Sequence, residues 1–433
     1  MNESEFTMPL EHEVVEGGPW SDDQAPAGAA RALLLGVFML MAGNGLQGSL
    51  IGVRTETEGF SVATAGVIMA AYFGGFLAGS RYAEYLLARV GHIRVFAGLA
   101  SMASTAVLIH ALFINAITWG LMRFVTGMCM AGLYVVIESW LNDLATNATR
   151  GRLLSLYMVC TMGGMTVGQF LLKAAHPDGF ELFMLSSVLV SAALVPVALS
   201  ASSNPPLGVP ESLSFRDLVK LVPLGVFSSF WQGASSGILI GLGAVYAVAV
   251  DVPDGRIPAF LAAPLVGSLI MQWPIGRLSD SVPRRNVMLV VAAVATGASA
   301  MLTAVEPGSW LSVGLIFVVG AMSFPLYSLT IAYTADWLPS SQITAGSAAL
   351  VRVNGVGALI GPLGAAAVMA IWSEVFFFWA MALTHGVIAG YLVVRIAAVD
   401  AVPVHKQGTF MAFPARASSA AVAMLTRRRH FRH

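Results

Sequence analysis

Twelve long apolar segments follow one another along the chain, separated by short polar breaks. Each has about 20 residues or more, the length that an α-helix needs to cross roughly 30 Å of hydrocarbon. No two-residue alternation of apolar and polar positions supports a β-barrel, so helices must satisfy the backbone in lipid. The pattern therefore predicts an all-α membrane protein with twelve transmembrane helices, over residues 32–53, 62–83, 93–114, 118–141, 152–173, 181–201, 219–249, 257–278, 286–305, 310–334, 345–371 and 375–396.

The composition excludes ordinary soluble enzymes. Hydrophobic residues make up 57% and charged residues 11% of the 433 positions, and the mean hydropathy is +0.77. Soluble domains carry about 25% charged residues. The 23 basic residues balance the 23 acidic ones, so nothing indicates a nucleic acid partner. Cys129 and Cys160 lie in apolar runs, and no phosphate-binding loop or dinucleotide fingerprint is present, so we expect no metal and no cofactor.

The charges in the loops predict the orientation. Residues 1–30 contain seven acids and no Lys or Arg, which is typical of a disordered tail and unlike a signal peptide. If that tail is cytoplasmic, 18 of the Lys and Arg residues fall on the cytoplasmic side and three on the other side. Cytoplasmic loops carry such an excess. We therefore expect a multi-pass protein of the inner (cell) membrane with both termini cytoplasmic.

The two halves of the chain resemble each other at a nearly constant offset. Residues 36–38 match residues 225–227 at an offset of 189, and Gly164 matches Gly357 at an offset of 193. Such a repeat predicts two six-helix halves with a binding site between them near the middle of the membrane. The predicted domains are an acidic tail, two halves joined by a cytoplasmic linker, and a basic tail, over residues 1–30, 31–202, 203–218, 219–397 and 398–433.

A motif between the eighth and ninth spans points to a family. Residues 276–285 read Gly-Arg-Leu-Ser-Asp-Ser-Val-Pro-Arg-Arg. They resemble the signature G-x-L-a-D-R-x-G-R-R of the major facilitator superfamily. The matching loop of the first half, residues 84–94, is a degenerate copy, because Glu84 stands in place of the signature glycine and Ala88 in place of the aspartate.

The resemblance covers residues 30–398, and segments 91–94 and 132–142 look like the bacterial YcaD-like branch. It implies the major facilitator fold, in which twelve helices form two pseudo-repeats, and secondary transport by alternating access. The branch does not fix a substrate. We expect a small-molecule solute, a proton as the coupling ion and hence symport, the lipid bilayer as the surroundings, and a monomer.

The resemblance also implies a cytoplasmic gate. An acid such as Asp280, between cytoplasmic helix ends, can pair across the two halves, which stabilises the outward-open state. The alternative is that these are ordinary interfacial charges that set the topology. The predicted gate residues are Arg89, Arg94, Asp143, Asp280, Arg284, Arg285 and Asp336.

Charged residues inside the spans are candidates for proton coupling, because such residues usually face a cavity. Arg123 lies in a stretch that resembles the family signature L-x-x-x-R-x-x-Q-G, with Thr126 in place of the glutamine, which implies proton coupling or substrate contact. Glu138 lies about 22 Å further along the same helix, too far from Arg123 for direct pairing. We predict Glu138 as the protonatable group; the alternative is a structural ion pair with Arg352 or a loop arginine.

The solute cavity should be lined by the first, fourth, seventh and tenth spans if the family resemblance holds. Polar and aromatic residues there and nearby suit an organic solute with a planar or hydroxylated part. Arg352 could contact an anionic solute or pair with Glu138. The predicted cavity residues are Asn44, Gln47, Tyr134, Trp231, Gln232, Gln272, Trp273, Tyr327, Arg352 and Asn354.

Three other functions stay open at this point. The first is antiport of drugs or metabolites. Antiporters of the family that this chain resembles usually carry the motif G-x-x-x-G-P in the fifth span; this chain has Gln169 in place of the proline, which counts against antiport. A lipid flippase on the same fold would need a lateral opening between the halves. Residues 233–237 fit the nucleophile motif G-x-S-x-G, but within an apolar helix, and a hydrolase would need a histidine facing Ser235. We expect no enzyme.

Overall fold

The computed structural model describes residues 24–146, 149–199, 213–408 and 410. Twelve helices in that part of the chain are long and apolar enough to cross a membrane, which confirms the predicted spans to within a few residues. We label them α1 (Gln24–Thr57), α2 (Val62–Val90), α3 (His92–Leu112), α4 (Ala116–Leu144), α5 (Arg150–Phe170), α6 (Glu181–Ala192), α7 (Pro223–Ala249), α8 (Ile257–Ser281), α9 (Arg284–Leu302), α10 (Trp310–Trp337), α11 (Ile343–Ile371) and α12 (Phe376–Ala398).

Two boundaries differ from the prediction. The α1 helix begins at Gln24, inside the segment assigned to the acidic tail, whose first 23 residues lie outside the described ones. A short helix, Phe215–Leu221, occupies the end of the predicted linker, and most of that linker is likewise outside the described residues. A second short helix, Leu194–Leu199, follows α6 as part of the sixth span.

The helices of the two halves pack in the same pairs. In the first half α1 packs on α5, α2 on α4 and α3 on α6; in the second half α7 packs on α11, α8 on α10 and α9 on α12. Glycines at matching positions make these contacts possible. Gly164 and Gly168 lie against the backbone of α1, and Gly357 and Gly361 lie in the same way against the backbone of α7. Small residues let two helix backbones approach closely.

The halves contact each other through small residues near one end of the bundle. We call the end where α1 begins and α12 ends the terminal face, and the other end the opposite face. Gly52 of α1 lies against Ala244 of α7, and Gly66 of α2 lies against Ala366 of α11. All four positions are in the part of their helices near the opposite face. The bundle is therefore closed between its halves toward the opposite face.

Candidate functional site

A small cavity lies between the two halves. Its volume is about 50 Å³, which is room for a few water molecules. The first half contributes most of the polar lining, from α1, α2, α4 and α5, and the second half contributes an apolar wall. The polar lining is Asn44, Ser49, Tyr72, Arg123 and Gln169, and the wall includes Leu239, Ile240, Ala244, Leu261, Leu265 and Phe324.

Arg123 brings a positively charged side chain to the lining of the cavity. Its side chain is only 4% exposed, and the guanidinium carbon lies 4.6 Å from the centre of the Tyr72 ring. Such a contact is stabilised by the negative face of the ring. No Asp or Glu occurs among the described lining residues. The cavity therefore presents a buried positive charge beside an aromatic face.

Hydrogen-bonding groups surround this charge. The Ser49 hydroxyl donates to the Gln169 side-chain oxygen, and the Gln169 nitrogen donates to the Met165 carbonyl at 3.2 Å. The Asn44 side-chain oxygen is buried and has no hydrogen-bond partner within the described part of the chain. Gln47, also predicted for the cavity, donates instead to the Thr126 hydroxyl at 3.4 Å.

Three polar residues line the cavity although the sequence pattern did not predict them there: Ser49, Tyr72 and Gln169. Gln169 did carry a signal, because it replaces the proline of the antiporter motif with a polar residue inside a span. Ser49 and Tyr72 carried none, because neither belongs to a motif.

Glu138 is the centre of a second buried group. Its side chain has no exposed surface, and its carboxylate accepts a 2.8 Å hydrogen bond from the Tyr157 hydroxyl of α5. Tyr327 of α10, in the other half, lies close enough to interact electrostatically with this carboxylate. The Tyr327 hydroxyl is buried and has no hydrogen-bond partner among the described residues. Tyr134, one turn before Glu138, donates to the Met41 sulfur at 3.1 Å.

The two predicted coupling residues lie at different depths. Both are on α4, which is continuous from Ala116 to Leu144, so the expected separation of about 22 Å along the axis stands. Arg123 lines the cavity, whereas Glu138 does not. Charge movement at one of them can reach the other only through intervening groups or through a change of conformation.

Three predicted cavity residues of the second half take part in two separate sets of hydrogen bonds. The Asn354 nitrogen donates to the Gln232 side-chain oxygen at 2.6 Å and to the Ser229 carbonyl at 3.1 Å. The Gln272 nitrogen donates to the Ser328 hydroxyl at 2.7 Å. These contacts join α7 to α11 and α8 to α10. They tie helices together within the second half and lie outside the lining of the cavity.

The remaining predicted cavity residues face elsewhere. Trp273 is 65% exposed and stacks on the guanidinium of Arg277 at 4.3 Å, so the rotation of α8 turns it away from the cavity. Trp231 is half-buried among aromatic neighbours on α7. Arg352 is exposed on α11.

The predicted gate residues divide between the halves. In the second half, the Arg284 Nε donates to Asp336 at 2.7 Å, and its Nη2 lies 3.5 Å from Asp280. Arg284 is 1% exposed. In the first half, Arg89 donates to the Tyr85 hydroxyl at 2.6 Å. Arg94 and Asp143 are exposed. Asp280 therefore joins a cluster inside its own half, where we expected a partner across the interface.

The histidine that a serine hydrolase requires is present in the structure. Ser235 of α7 and the Nε2 of His385 on α12 are 3.1 Å apart, and the His385 Nδ1 is 2.8 Å from the Met381 carbonyl. Both side chains have no exposed surface. A nucleophile needs access to substrate and water, so this pair holds α7 against α12 in the described state.

Comparisons with known proteins agree with this architecture. The profile of the Major Facilitator Superfamily matches residues 33–254 and 224–431. The chain is similar to the MFS-type transporter YcaD of Escherichia fergusonii, with 28% identity over 79% of this chain and 89% of the relative. YcaD of Escherichia coli is 29% identical over the same shares.

Two solved structures share the fold. The nucleoside transporter NupG, in the form of a point variant, superposes with a TM-score of 0.74 and 11% identity, covering 84% of this chain and 99% of that one. A bacterial homologue of the human lysosomal transporter Spinster, in an inward-facing and unoccupied conformation, gives a TM-score of 0.64 and 13% identity, covering 94% and 98%.

Proposed function

Because the chain belongs to the Major Facilitator Superfamily, we propose that it is a secondary active transporter that moves a small organic solute by alternating access, coupled to protons. The resemblance to this family and to the YcaD-like branch is confirmed by the comparisons, and so is the twelve-helix fold. The direction of transport, the coupling ion and the solute are proposals.

The observation that carries proton coupling is the burial of Glu138. A carboxylate with no exposed surface inside a membrane span is costly when charged, so such residues are kept for function. Tyr157 of the same half donates a hydrogen bond to it, and the buried Tyr327 of the other half lies within electrostatic range of it. Protonation of Glu138 would remove the charge from this interface, which changes the relative free energy of the two conformations.

The closed opposite face supports alternating access. Close contacts at Gly52 and Gly66 hold the halves together there, so the solute must leave or enter through the terminal face in this state. The cavity of about 50 Å³ must widen to take an organic molecule, since ligand pockets have at least roughly 300 Å³. We propose that the terminal face is cytoplasmic and that the membrane is the bacterial inner membrane, as the loop charges predict.

The lining chemistry favours an organic anion that also carries a hydrogen-bond donor. The anion would be attracted by Arg123, and the donor would satisfy the buried Asn44 oxygen. An acid in the lining would oppose an anion, and the described lining has none.

Replacing Arg123 with glutamine is expected to reduce the binding of an anionic solute by roughly tenfold to a hundredfold, since hydrogen bonds to charged groups contribute about 1.5–3 kcal/mol. Replacing it with lysine keeps the charge and is expected to recover part of the loss. Isothermal titration of the purified variants with the identified solute measures both. Equal binding by wild type and the glutamine variant would remove Arg123 from the site.

The test of the proposed function is a thermal-shift screen of the purified wild type and of Glu138→Gln against a broad metabolite library at two pH values. We expect one solute class to stabilise the wild type in a pH-dependent way. In the variant, the stabilisation should persist and its pH dependence should vanish. If the binding of the solute and its pH dependence are the same in the wild type and in Glu138→Gln, proton coupling through Glu138 is contradicted.

A second candidate function, lipid translocation, is favoured by one observation. An open groove lies between α2 and α11, lined by Gly74, Leu77, Ala78, Arg81, Tyr82 and Leu359. It is apolar along most of its length and has a basic residue near the terminal face. If phospholipids labelled in the headgroup cross proteoliposome membranes faster than in protein-free vesicles, and leucine-to-tryptophan substitution at Leu77 stops this, the lipid function replaces the solute function.

Replacing Ser235 with alanine is expected to leave solute binding within about twofold of wild type. The substitution removes the hydrogen bond to His385 and leaves a buried ring nitrogen without a partner, so the free energy of unfolding should fall by about 1–3 kcal/mol. Thermal unfolding and the binding titration measure the two effects. Loss of a hydrolytic activity with unchanged stability would instead support the hydrolase.

A further inference from the structure

The segment that follows α12 lies on the charge cluster of the second half. The backbone N–H of Gly408 donates to Asp336 at 2.8 Å, and the backbone N–H of Phe410 donates to Asp280 at 2.8 Å. In return, the Arg284 guanidinium donates to the Gly408 carbonyl. Three of the predicted gate residues therefore bind the backbone of one short segment, 72 to 130 positions away along the chain.

Two further contacts fix the path of this segment. Arg285 donates to the carbonyl of Val399, directly after α12. The ring of Phe410 packs on Gly276 of α8, and a Cβ at that position would collide with the ring. The first residue of the loop signature thus provides the flat surface on which the ring lies.

The segment occupies the groups that the other half would need. The loop signature predicts that Asp280 pairs across the halves when the terminal face closes. Here its carboxylate accepts from Phe410, and Asp336 is covered, with a side chain only 3% exposed. Hydrogen bonds to charged groups are among the stronger ones in proteins. The Asp280 side chain stays 34% exposed, so closure of the terminal face in that way would bring the other half into competition with Phe410 for this carboxylate.

We propose that the surface formed by Gly276, Asp280, Arg284 and Asp336 is a docking site for the chain's own residues 399–408 and Phe410, and that docking favours the state in which the terminal face is open. The proposal rests on alternating access as the proposed function. This segment contains a short 3-10 turn, Val404–Lys406, and offers two N–H groups and a carbonyl to the charges and an aromatic ring to the glycine. Release of the segment frees Asp280 and favours closure.

The test compares two truncations of the full-length protein. Removing residues 401–433 deletes the part of the segment that contacts Asp280, Arg284 and Asp336, whereas removing residues 412–433 keeps that part and deletes only the basic end. Spin labels at Ile93→Cys and Asn286→Cys, in a background without Cys129 and Cys160, report the distance between the halves at the terminal face. Both label sites are exposed and are related by the internal repeat, at an offset of 193.

We expect removal of 401–433 to raise the ratio of the short-distance to the long-distance population by about tenfold, as for the loss of one charge-assisted hydrogen bond. Removal of 412–433 should leave the ratio unchanged. Phe410→Ala keeps the backbone N–H and loses the ring, so it should give a smaller shift in the same direction. This variant replaces the long truncation in the test if the truncated protein does not fold.

Two results overturn the proposal. Equal shifts in the two truncations would assign the effect to the basic end, and unchanged populations in both the long truncation and Phe410→Ala would show that docking does not hold the terminal face open. The distance measurement needs no solute. A failure of the proposed function would instead show in the metabolite screen, so the two failures are distinguishable.

Discussion

Replacing Glu138 with glutamine is expected to abolish accumulation of the solute against its gradient while leaving exchange of solute intact. A pH difference of one unit supplies about 1.4 kcal/mol per coupled proton, which is sufficient for roughly tenfold accumulation. Wild-type protein in liposomes should approach that ratio. The glutamine variant keeps the shape and the hydrogen-bonding capacity toward Tyr157 but carries no titratable proton, so its ratio should stay near one. Uptake of radiolabelled solute with and without the pH difference measures this.

The matched control is Glu306→Gln, in the exposed loop between α9 and α10. It removes the same group from a site that faces solvent, and we expect wild-type accumulation. Tyr157→Phe removes only the hydrogen bond and should weaken coupling without abolishing it.

Wild-type accumulation by Glu138→Gln would exclude Glu138 as the coupling group. If Glu138→Gln lowers the free energy of unfolding but accumulates solute like the wild type, the role of this carboxylate is purely structural.

Replacing Gly127 with alanine is expected to lower the free energy of unfolding by about 3 kcal/mol, the upper part of the usual range for overpacking. Gly127 of α4 lies directly against the carbonyl of Tyr72 on α2, so an added Cβ meets rigid backbone rather than a flexible side chain. The helices would have to separate. Because Tyr72 also lies under Arg123, solute binding should fall together with stability.

Gly120→Ala on the same helix is the control. Apart from its chain neighbours and the nearby backbone of its own helix, no atom of the described residues lies within 4 Å of a Cβ placed at Gly120, so the same chemical change meets open space. We expect this variant to unfold within about 0.5 kcal/mol of wild type, as surface substitutions usually do. Thermal unfolding in detergent measures both variants. Equal stability of the two would show that α2 and α4 are not in backbone contact.

The candidate site was predicted only in part. Arg123 and Asn44 line the cavity, as expected for charged and polar residues inside spans. Gln232, Gln272 and Asn354 have the same composition signal, yet they bond within the second half. Whether a polar residue faces the cavity or a neighbouring helix depends on the rotation of its helix about the helix axis. A span that is apolar on all sides does not reveal that rotation.

The gate shows the same limit. The loop signature implied that Asp280 pairs across the two halves, whereas in the structure Asp280 lies beside Arg284 of its own half. It did not predict that the segment after α12 would reach this cluster, because residues 399–410 carry no motif and few charges. Their contacts are between backbone groups and distant side chains, and such contacts leave no local pattern.

The sequence by itself determined the twelve helices, because lipid leaves the backbone no partner but the helix and a span needs about 20 apolar residues. It also determined the repeat, since glycines at matching positions mark the same helix contacts in each half. Only the tertiary structure decided that Tyr157 holds Glu138, that Trp273 faces outward and that Phe410 lies on Gly276. Those facts depend on helix rotation and on contacts between distant segments, which local patterns of polarity do not encode.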